Sequence, residues 1–371
     1  MMAPRRDPEI LLRRYWEKPD TPVVTALLSL LSLGYRVGLA ARDCAYRYRL
    51  LSTGRLSCPV VSIGNVTLGG SGKTPLVEVV ALGLRELGAQ PAVLSRGYGR
   101  DSRGVHVVAD RDALRLGPRA AGDEPVLLAE RLPGVPVIVG ENRFEAGRVA
   151  LEQCGATAIV LDDGFQHRTL RKDFEILAIN GRTPWGNGRL FPRGMLREPL
   201  SAVARADLVV VIDPPSAAAA ESVERVIRHQ NRRAPLLVSR YEVIEARDQR
   251  TGLTIAPDDL NGRRFLAFAG LGSPGGFGET LTSSGVRVAG LQEYPDHYWF
   301  TEADLTGLAT HAVAMGTEGL ITTEKDWVRL RGLRLPSLPI LVLSVRLRLE
   351  SDRDVLLQAL GRMLAAAPAR R

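Results

Sequence analysis

A glycine-rich segment just before residue 75 combines the residue types that bind the phosphates of a nucleotide. Glycines let the backbone approach a phosphate closely, a following lysine can reach the β- and γ-phosphates, and a threonine hydroxyl can ligate Mg²⁺. The usual GxxxxGK[ST] motif has a glycine where this chain has a threonine, and the alternative is a plain strand–helix turn. The residues predicted to bind the phosphates are Thr67, Gly69, Gly70, Ser71, Gly72, Lys73 and Thr74.

Two acidic residues, Asp162 and Asp163, follow directly after the apolar run Ala158–Leu161. A buried strand of this kind can deliver a carboxylate to the Mg²⁺ beside a phosphate loop. We therefore predict a metal site formed by Thr74, Asp162 and Asp163, and leave open which aspartate lies closer to the ion. The alternative is a turn built on the Asp-Gly pair at the end of the run.

Two further residues could do acid–base chemistry, although their surroundings leave a structural role open. Asp123 precedes the apolar, helical stretch Val126–Ala129, where an aspartate can simply cap the helix N-terminus. His297 lies in the loop Pro295–Tyr298, and a single histidine in a loop is usually structural. Neither residue on its own establishes a catalytic role.

A second glycine-rich segment, residues 270–275, matches the GxGxxG pattern of dinucleotide-binding loops. That function needs a helix that opens on the loop and an acidic residue about 20 positions later. Glu293 has roughly this spacing, but Pro274 and the glycines around it make a poor helix start. We therefore expect a tight turn and no nucleotide site here.

The elements that would position these residues form an α/β pattern. Short apolar runs alternate with helical stretches, which predicts a mostly parallel sheet with helices on both faces, as in P-loop NTPases. The predicted strands are Val60–Ile63, Ala92–Leu94, Val135–Val139, Ala158–Leu161, Phe174–Ile179, Leu208–Ile212, Leu236–Ser239, Phe265–Ala269, Val286–Ala289, Gly319–Thr322 and Ile340–Val345. The predicted domains are an N-terminal apolar helical segment (1–45), a phosphate-loop domain (46–215) and a smaller C-terminal α/β domain (216–371).

The apolar stretch near the N-terminus is lipophilic enough to interact with a membrane. Its uninterrupted part, Val23–Leu33, is shorter than the roughly 20 residues that span a bilayer, and basic residues flank it on both sides. This pattern favours a helix that lies at, or dips into, an anionic membrane surface. The alternative is a helix that covers the core of its own domain, and a cleaved signal peptide is not expected.

The composition is that of a globular protein from a reducing compartment. Three cysteines without a CxxC pair exclude a disulfide framework and a cysteine-built zinc site. The net charge of +8 rests on arginines that are scattered along the chain, and only Lys18, Lys73, Lys172 and Lys325 are lysines. Because no basic block interleaved with aromatic residues is present, nucleic-acid binding is not expected.

Together these motifs resemble the tetraacyldisaccharide 4′-kinase family, the membrane-associated kinases of lipid A biosynthesis. The resemblance covers about residues 30–330 in the family's order and includes the threonine variant of the phosphate loop. The matching segments are Ser62–Asn65, Gly69–Pro75, Ser95–Tyr98, Gly122–Pro125, Glu141–Arg143, Leu161–Arg168, Leu196–Leu200, Pro295–Tyr298 and Thr322–Asp326. The segments before residue 20 and after about residue 345 match nothing distinctive.

The resemblance implies an ATP- and Mg²⁺-dependent transfer of the γ-phosphoryl group to the 4′-hydroxyl of a tetraacyl glucosamine disaccharide 1-phosphate. It implies catalytic roles for Lys73, Asp123 and His297, with Asp123 as general base and His297 as its orienting partner across an interdomain cleft that closes over the substrates. The residues implied to bind the disaccharide headgroup are Arg96, Arg143, Gln166, His167 and Glu198. A monomer at the cytoplasmic face of the bacterial inner membrane, with a glycolipid substrate and an anionic membrane surface as partners, is expected.

Other functions share parts of this pattern. A P-loop kinase or ligase with a soluble acceptor would not need the lipophilic N-terminal segment. A regulatory GTPase would show an Asn-Lys-x-Asp or Thr-Lys-x-Asp segment, and Thr323–Asp326 has those letters at the wrong spacing. An NAD-dependent oxidoreductase would rest on residues 270–275 alone.

Overall fold

Strands and helices alternate along the chain, as the sequence predicts. The computed structural model describes residues 15–16, 21–70, 72–272, 274–350 and 353–366, so Ser71 of the predicted phosphate site and most of residues 1–20 lie outside the described residues. The strands are β1 (Val60–Gly64), β2 (Pro91–Ser95), β3 (His106–Ala109), β4 (Val137–Val139), β5 (Ala158–Leu161), β6 (Phe174–Asn180), β7 (Leu208–Ile212), β8 (Leu236–Asp248), β9 (Thr254–Ile255), β10 (Arg264–Ala269), β11 (Arg287–Glu293), β12 (Gly319–Thr323) and β13 (Ile340–Leu349).

The α-helices lie mainly between these strands, which gives the α/β fold that the sequence predicts. They are Pro22–Arg47, Lys73–Glu86, Pro118–Ala121, Asp123–Arg131, Arg143–Glu152, Ala217–Gln230, Pro274–Ser283, Glu302–Ala314, Glu324–Leu330 and Arg353–Ala366. Two strands escaped the sequence analysis: β3 pairs antiparallel with β4, and β9 pairs antiparallel with β8. Both are short, with four residues in β3 and two in β9.

The chain forms two compact units, each assembled from separate stretches of sequence. The first unit lies within residues 1–73, 157–239 and 350–371, and the second within residues 74–156 and 240–349. The predicted domain boundaries at residues 45 and 215 describe contiguous segments instead, and they stay a prediction.

The sheet of the first unit is parallel throughout its described pairings. The first residues of β8 pair with β7, β7 with β6, β6 with β1, and β1 with β5. Strands β1 and β5 are buried along their whole length, as expected for strands covered on both faces. At the end of β1, a Cβ on Gly64 would lie 2.5 Å from the Cβ of Phe165, so only glycine allows the segment after β5 to pass this closely.

The second unit contains a parallel set of four strands in the order β11–β10–β12–β13. The chain goes from β10 to β11 on one side and then returns to β12 on the other side. Where successive connections leave a strand in opposite directions, the carboxyl ends of the strands form a crevice that suits a ligand site. The same unit contains β2 parallel to β4 and the helix Asp123–Arg131.

A helix does follow the GxGxxG segment, so the expectation of a simple tight turn with no helix start is wrong. The helix Pro274–Ser283 begins directly at the proline. Proline is tolerated in a first helical turn because the N–H groups there have no intrahelical partner. Phe277 and Leu281 are buried against β10, and this packing outweighs the low helix propensity of the glycines.

The apolar N-terminal stretch forms the 26-residue helix Pro22–Arg47, which is long and apolar enough to cross a membrane. It extends well past the uninterrupted apolar run, through two glycines and as far as Arg47. Several of its large apolar side chains are exposed, among them Leu27, Leu30 and Val37. On another face, the Tyr35 hydroxyl donates to the carbonyl of Arg197 at 2.8 Å. The helix therefore contacts the rest of the first unit on one side and leaves an apolar surface on another.

Candidate active site

The phosphate loop follows β1 and is held by side chains of its own unit. The Asn65 amide donates to the carbonyl of Thr67 at 2.7 Å, and the Gln166 amide donates to the carbonyl of Asn65 at 2.9 Å. Gly69 and Gly72 have φ angles of +93° and +71°, a backbone region that glycine adopts without strain. The glycines are therefore required by the shape of the loop as well as by its approach to a phosphate.

Lys73 points toward Asp163, one of the two aspartates predicted to lie beside the phosphates. Its Nζ lies 3.4 Å from Asp163 Oδ1 and donates to Asn65 Oδ1 at 3.3 Å. Arg197 Nη1 contacts both oxygens of the same carboxylate, at 3.0 and 2.8 Å. Burial opposes ionisation here, but the charges of Lys73 and Arg197 hold the pKa of Asp163 well below its usual range. Asp163 is therefore an ionised group that orients two cations.

Arg197 is a site residue that the sequence analysis did not single out. It stands inside the matched segment Leu196–Leu200, and its neighbour Glu198 was singled out instead. The signal was its position in a motif shared with the family, but no local pattern shows that it reaches Asp163, 34 residues earlier in the chain. A guanidinium at this position can stabilise the negative charge on the oxygens of a transferring phosphoryl group.

A cation could be held by the donors that follow β5. Asp162 is buried and Asp163 is partly exposed, and both offer the hard oxygen ligands that Mg²⁺ prefers. Within the described part of the chain, no group of three or more His, Cys, Asp or Glu side chains is placed to bind a metal ion. The donor set thus fits an ion that takes its other ligands from water and from substrate phosphates, as Mg²⁺ does.

The residues predicted to bind the disaccharide divide between the two units. Gln166, His167 and Glu198 lie in the first unit, whereas Arg96 and Arg143 lie in the second. Glu198 is buried, and two arginines of the first unit pair with it, Arg42 at 3.3 Å and Arg205 at 2.6 Å. Arg42 belongs to the apolar N-terminal helix, so that helix is tied to the segment that carries Arg197 and Glu198.

The other predicted headgroup residues differ in their accessibility. Arg96 is exposed just after β2. Arg143 is buried and donates to the carbonyl of Gly140 at 2.8 Å. The Nε2 atom of His167 lies 2.7 Å from the hydroxyl oxygen of Thr169. Arg96 is therefore well placed to meet an anionic group from solvent, while Arg143 also supports its own loop.

Asp123 and His297 are in direct contact, although 174 residues separate them in the sequence. His297 Nδ1 lies 3.0 Å from Oδ1 and 2.9 Å from Oδ2 of Asp123. Both residues belong to the second unit, so the expectation that they meet only when domains close over the substrates is wrong. The alternative role of Asp123 as an N-cap is also wrong, because Gly122 occupies that position and Asp123 is the first helical residue.

The backbone around the pair is fixed by unusual conformations. His297 has a φ of +58° in the loop after β11, and Gly122 has a φ of +94° immediately before the aspartate. A Cβ on Gly97 would lie 2.6 Å from the carbonyl of Ala121, so this turn also requires glycine. The ring of Tyr98 lies 5.1 Å from the ring of His297. These constraints hold the imidazole at one orientation toward Asp123.

Charged side chains of the helix Glu324–Leu330 surround the pair. Arg329 contacts Asp123 and Asp326, and Lys325 donates to Glu124 at 2.9 Å and to Asp296 at 3.1 Å. Burial opposes ionisation of Asp123, but the hydrogen bond from His297 and the nearby cations hold its pKa well below its usual range. Burial alone would lower the pKa of Lys325, yet its carboxylate neighbours raise it.

This cluster explains the segment Thr323–Asp326, whose role the sequence left open. It also explains the first glycine of the GxGxxG segment. The N–H of Gly270 donates to Asp326 Oδ1 at 3.0 Å, and its carbonyl accepts from Arg329 at 3.1 Å. A Cβ on Gly270 would lie 3.1 Å from Asp326 Oδ1. The glycine therefore makes room for side chains that support Asp123, at the crevice between β10 and β12.

A second buried ion-pair network joins three helices of the second unit. Arg131, at the end of the helix that Asp123 begins, pairs with Glu78 at 3.3 Å and with Glu324. Arg131 also donates to the carbonyl of Val345 at 3.0 Å, and Arg346 lies 3.0 Å from Glu78. Burial raises the pKa of Glu78 while the two arginines oppose the rise. The network fixes the helix of Asp123 against the helix that carries Arg329.

Comparisons with known proteins show the family to which the chain is similar. The family model for tetraacyldisaccharide-1-P 4′-kinase matches residues 24–365. A tetraacyldisaccharide 4′-kinase from Syntrophus aciditrophicus is 39% identical over 358 residues, which cover 92% of this chain and 95% of that protein. The protein of the same name from Anaeromyxobacter sp. strain Fw109-5 is 39% identical over 361 residues, covering 96% and 97%. A crystal structure of LpxK from Aquifex aeolicus in complex with ATP is similar with a TM-score of 0.72 and 31% identity, over 92% of this chain and 99% of that one.

Proposed function

The chain belongs to the tetraacyldisaccharide-1-P 4′-kinase family, and we propose that its phosphate loop, the aspartates after β5 and the Asp123–His297 pair together carry out the family's phosphoryl transfer. The protein is an ATP-dependent lipid kinase that phosphorylates the 4′-hydroxyl of a tetraacyl disaccharide 1-phosphate in lipid A biosynthesis. The alternative functions as a kinase of a soluble acceptor, a GTPase or an oxidoreductase are therefore not proposed. The contact between Asp123 and His297 carries the assignment of the catalytic residues.

The phosphate loop holds and orients ATP. The loop backbone from Thr67 to Thr74 would surround the phosphates, and Lys73 would neutralise charge on the β- and γ-phosphates. Arg197 approaches the same carboxylate as Lys73, so both cations can act on one phosphoryl group. Ser71 is included in this site by its place in the motif.

A magnesium ion would be held by Thr74, Asp162 and Asp163. When bound it would supply a positive charge that neutralises the phosphates and orients the γ-phosphoryl group. The residues of the chain contribute hard oxygen donors, and the charge of Asp163 is kept by Lys73 and Arg197. These oxygen donors are of the kind that Mg²⁺ prefers, which supports the metal site.

The Asp123–His297 pair removes the proton of the 4′-hydroxyl. A sugar hydroxyl is a weak nucleophile, so a positioned base must accept its proton as the phosphoryl group transfers. An ionised carboxylate beside an imidazole supplies such a base, and the Asp123 side chain is buried while that of His297 is 22% exposed. The headgroup and its 1-phosphate would be bound by Arg96, Arg143, Gln166, His167 and Glu198.

The exposed apolar face of the helix Pro22–Arg47 holds the protein at a membrane. We place the protein, as a monomer, at the cytoplasmic face of the bacterial inner membrane, where its lipid acceptor and ATP are both accessible. Arginines at both ends of the helix would contact anionic headgroups. The contacts of Tyr35 with Arg197 and of Arg42 with Glu198 support an arrangement in which the helix brings the phosphate-loop unit to the lipid surface.

The assay uses γ-labelled ATP and tetraacyl disaccharide 1-phosphate dispersed in a detergent. The purified protein should transfer label to the glycolipid, with one ADP formed for each labelled lipid. A preparation of Asp123→Ala handled in parallel controls for contaminating kinases. ATP hydrolysis without labelled lipid, or labelling by the Asp123 variant at the normal rate, would contradict the proposed roles.

A further inference from the structure

The two sides of the helix Pro22–Arg47 face different surroundings. Leu30 and Val37 are exposed and belong to the apolar side that we place at the membrane. The side chains that contact the rest of the first unit lie on the other side, because their spacing of i, i+3, i+10 and i+11 returns to one line along a helix with 3.6 residues per turn. A tilt or rotation of the helix therefore moves both sides together. The inner side chains are Ser32, Tyr35, Arg42 and Asp43.

The inner side of the helix packs against residues 189–198, which we call the connecting segment. The Tyr35 hydroxyl donates to the carbonyl of Arg197 at 2.8 Å. The Tyr35 ring meets the ring of Phe191 edge-on, with 5.7 Å between the two centroids. A hydrogen bond and an aromatic contact thus hold one side chain of the helix at two points of the connecting segment.

Glu198 ties the same helix to the connecting segment through charge. Its side chain is 2% exposed, and its two carboxylate oxygens lie 3.3 Å from Arg42 and 2.6 Å from Arg205. The Arg205 guanidinium lies 4.3 Å from the centroid of the Phe165 ring, in the segment that follows β5. A buried carboxylate is tolerated only where cations compensate its charge. Arg42 of the helix therefore helps to fix the position of Glu198.

The connecting segment pairs in turn with the backbone of the phosphate loop. The Leu68 N–H donates to the carbonyl of Met195 at 2.7 Å, and the Arg197 N–H donates to the carbonyl of Val66 at 2.7 Å. The residues between these two pairs form an antiparallel bridge. Because these backbone hydrogen bonds hold the two segments in register, a shift of the connecting segment is transmitted to the loop.

Arg197 is the residue at which these contacts meet. Its carbonyl accepts from Tyr35 of the helix, and its N–H donates to the phosphate loop. Its guanidinium contacts both oxygens of Asp163, at 3.0 and 2.8 Å, and Lys73 lies 3.4 Å from the same carboxylate. A displacement of the helix therefore reaches, through a single residue, the loop and the charged groups that are proposed to act on ATP.

We propose, on the basis of the proposed function, that Tyr35 and Arg42 are positioning residues through which the membrane helix sets the orientation of Arg197, so that attachment to an anionic bilayer tightens the binding of ATP. Glu198 then anchors this connection, in addition to the headgroup contact proposed above. The linkage is reciprocal, so ATP strengthens attachment to the bilayer by the same factor. The helix acts in this way as a sensor of the membrane as well as an attachment to it.

The test measures the Kd of a fluorescent ATP analogue for the full-length protein, with and without vesicles that contain no acceptor lipid. Mixed phosphatidylethanolamine and phosphatidylglycerol vesicles supply the anionic surface, and phosphatidylcholine vesicles are the neutral control. Tyr35→Phe removes the hydroxyl that donates to Arg197, and Arg42→Met removes the charge beside Glu198. Arg36→Met is the matched control, since Arg36 is an exposed arginine of the same helix and its replacement removes the same charge.

For the unaltered protein, anionic vesicles should lower the Kd of the ATP analogue by roughly 2- to 30-fold, the range that coupling energies along a chain of contacts span. Tyr35→Phe and Arg42→Met should still sediment with the vesicles, because the apolar side of the helix is intact, but they should lose most of this effect. Arg42→Lys, which keeps the charge, should recover part of the effect. Arg36→Met should keep all of it.

Thermal unfolding curves are measured in parallel, because Arg42→Met removes one cation from a buried carboxylate. Tyr35→Phe is the second variant that keeps the test decisive, since it leaves every charge in place. A merely structural role of these residues would lower the unfolding temperature and leave the ratio of the two Kd values unchanged, and that result would overturn the inference.

Two further results separate the inference from the function on which it rests. A protein that sediments with anionic vesicles but binds the ATP analogue equally with and without them would refute the linkage alone. A protein that does not sediment with anionic vesicles would refute the proposed membrane attachment and the linkage with it. Transfer of phosphate to the lipid in detergent, measured on the same preparation, tests the kinase activity independently of both.

Discussion

Replacing Asp123 and His297, singly and together, tests whether the two residues act as one unit in proton removal. The imidazole lies 2.9 and 3.0 Å from the two carboxylate oxygens, so either replacement removes the shared hydrogen bond. Positioned acid–base groups contribute about 10²–10⁴-fold to rate. Since each factor of ten corresponds to about 1.4 kcal/mol, each alanine variant should raise the barrier by about 3–5 kcal/mol.

The double variant should be little slower than the poorer single variant. If the residues acted independently, two losses of about 10² would multiply to about 10⁴. A single unit would lose only about 10² in total, which leaves a coupling energy of about 2.7 kcal/mol between the two sites. This is well above the error of a rate measurement, so the two cases are readily separated.

The measurement is single-turnover transfer from γ-labelled ATP to the lipid, with ATP binding measured separately to exclude a binding defect. Asp112→Ala and His311→Ala are matched controls, since both residues are exposed and lie away from the pair in the sequence. Losses that multiply independently, or a fully active His297→Ala enzyme, would refute the shared role. In that case Asp123 would be only a buried ion-pair partner of Arg329.

Lys73→Ala should reduce transfer more than tenfold with an unchanged thermal unfolding curve, because the phosphates lose their main side-chain cation; turnover near the normal rate would remove the nucleotide-loop assignment. Replacing Leu27 and Leu30 with glutamine should shift the protein from the membrane fraction toward the soluble one while activity in detergent persists. Deletion of residues 1–41 should cause the same shift between the fractions. Unchanged partition in sedimentation assays would mean that other surfaces hold the lipid. Arg131→Met should destabilise the fold by about 3 kcal/mol in denaturant titrations, because it leaves Glu78 and its neighbours buried with less compensating charge. The double variant that also converts Glu78 to methionine should recover part of that loss.

The sequence by itself determined the local elements and the nucleotide chemistry. Buried parallel strands are continuous apolar runs, so each predicted strand, including β1 and β5, could be found without knowledge of its partners. The phosphate loop is a contiguous segment whose function depends on residue types at fixed spacing. The order of motifs along the chain was sufficient for the family, which the relatives confirm.

Only the tertiary structure decided which distant residues meet. Asp123 contacts His297 and Arg329, which are 174 and 206 positions away, because the fold of the second unit brings the loop after β11 and the helix after β12 to the start of one helix. Short strands were missed for a related reason, because a strand of four residues such as β3 depends on the hydrogen bonds that its partner β4 supplies. The helix after residue 273 forms because Phe277 is buried, although its glycines disfavour it. Periodicity and composition encode what a segment prefers alone, whereas strand pairing, burial and the contacts of Asp123 with His297 and Arg329 are properties of the assembled chain.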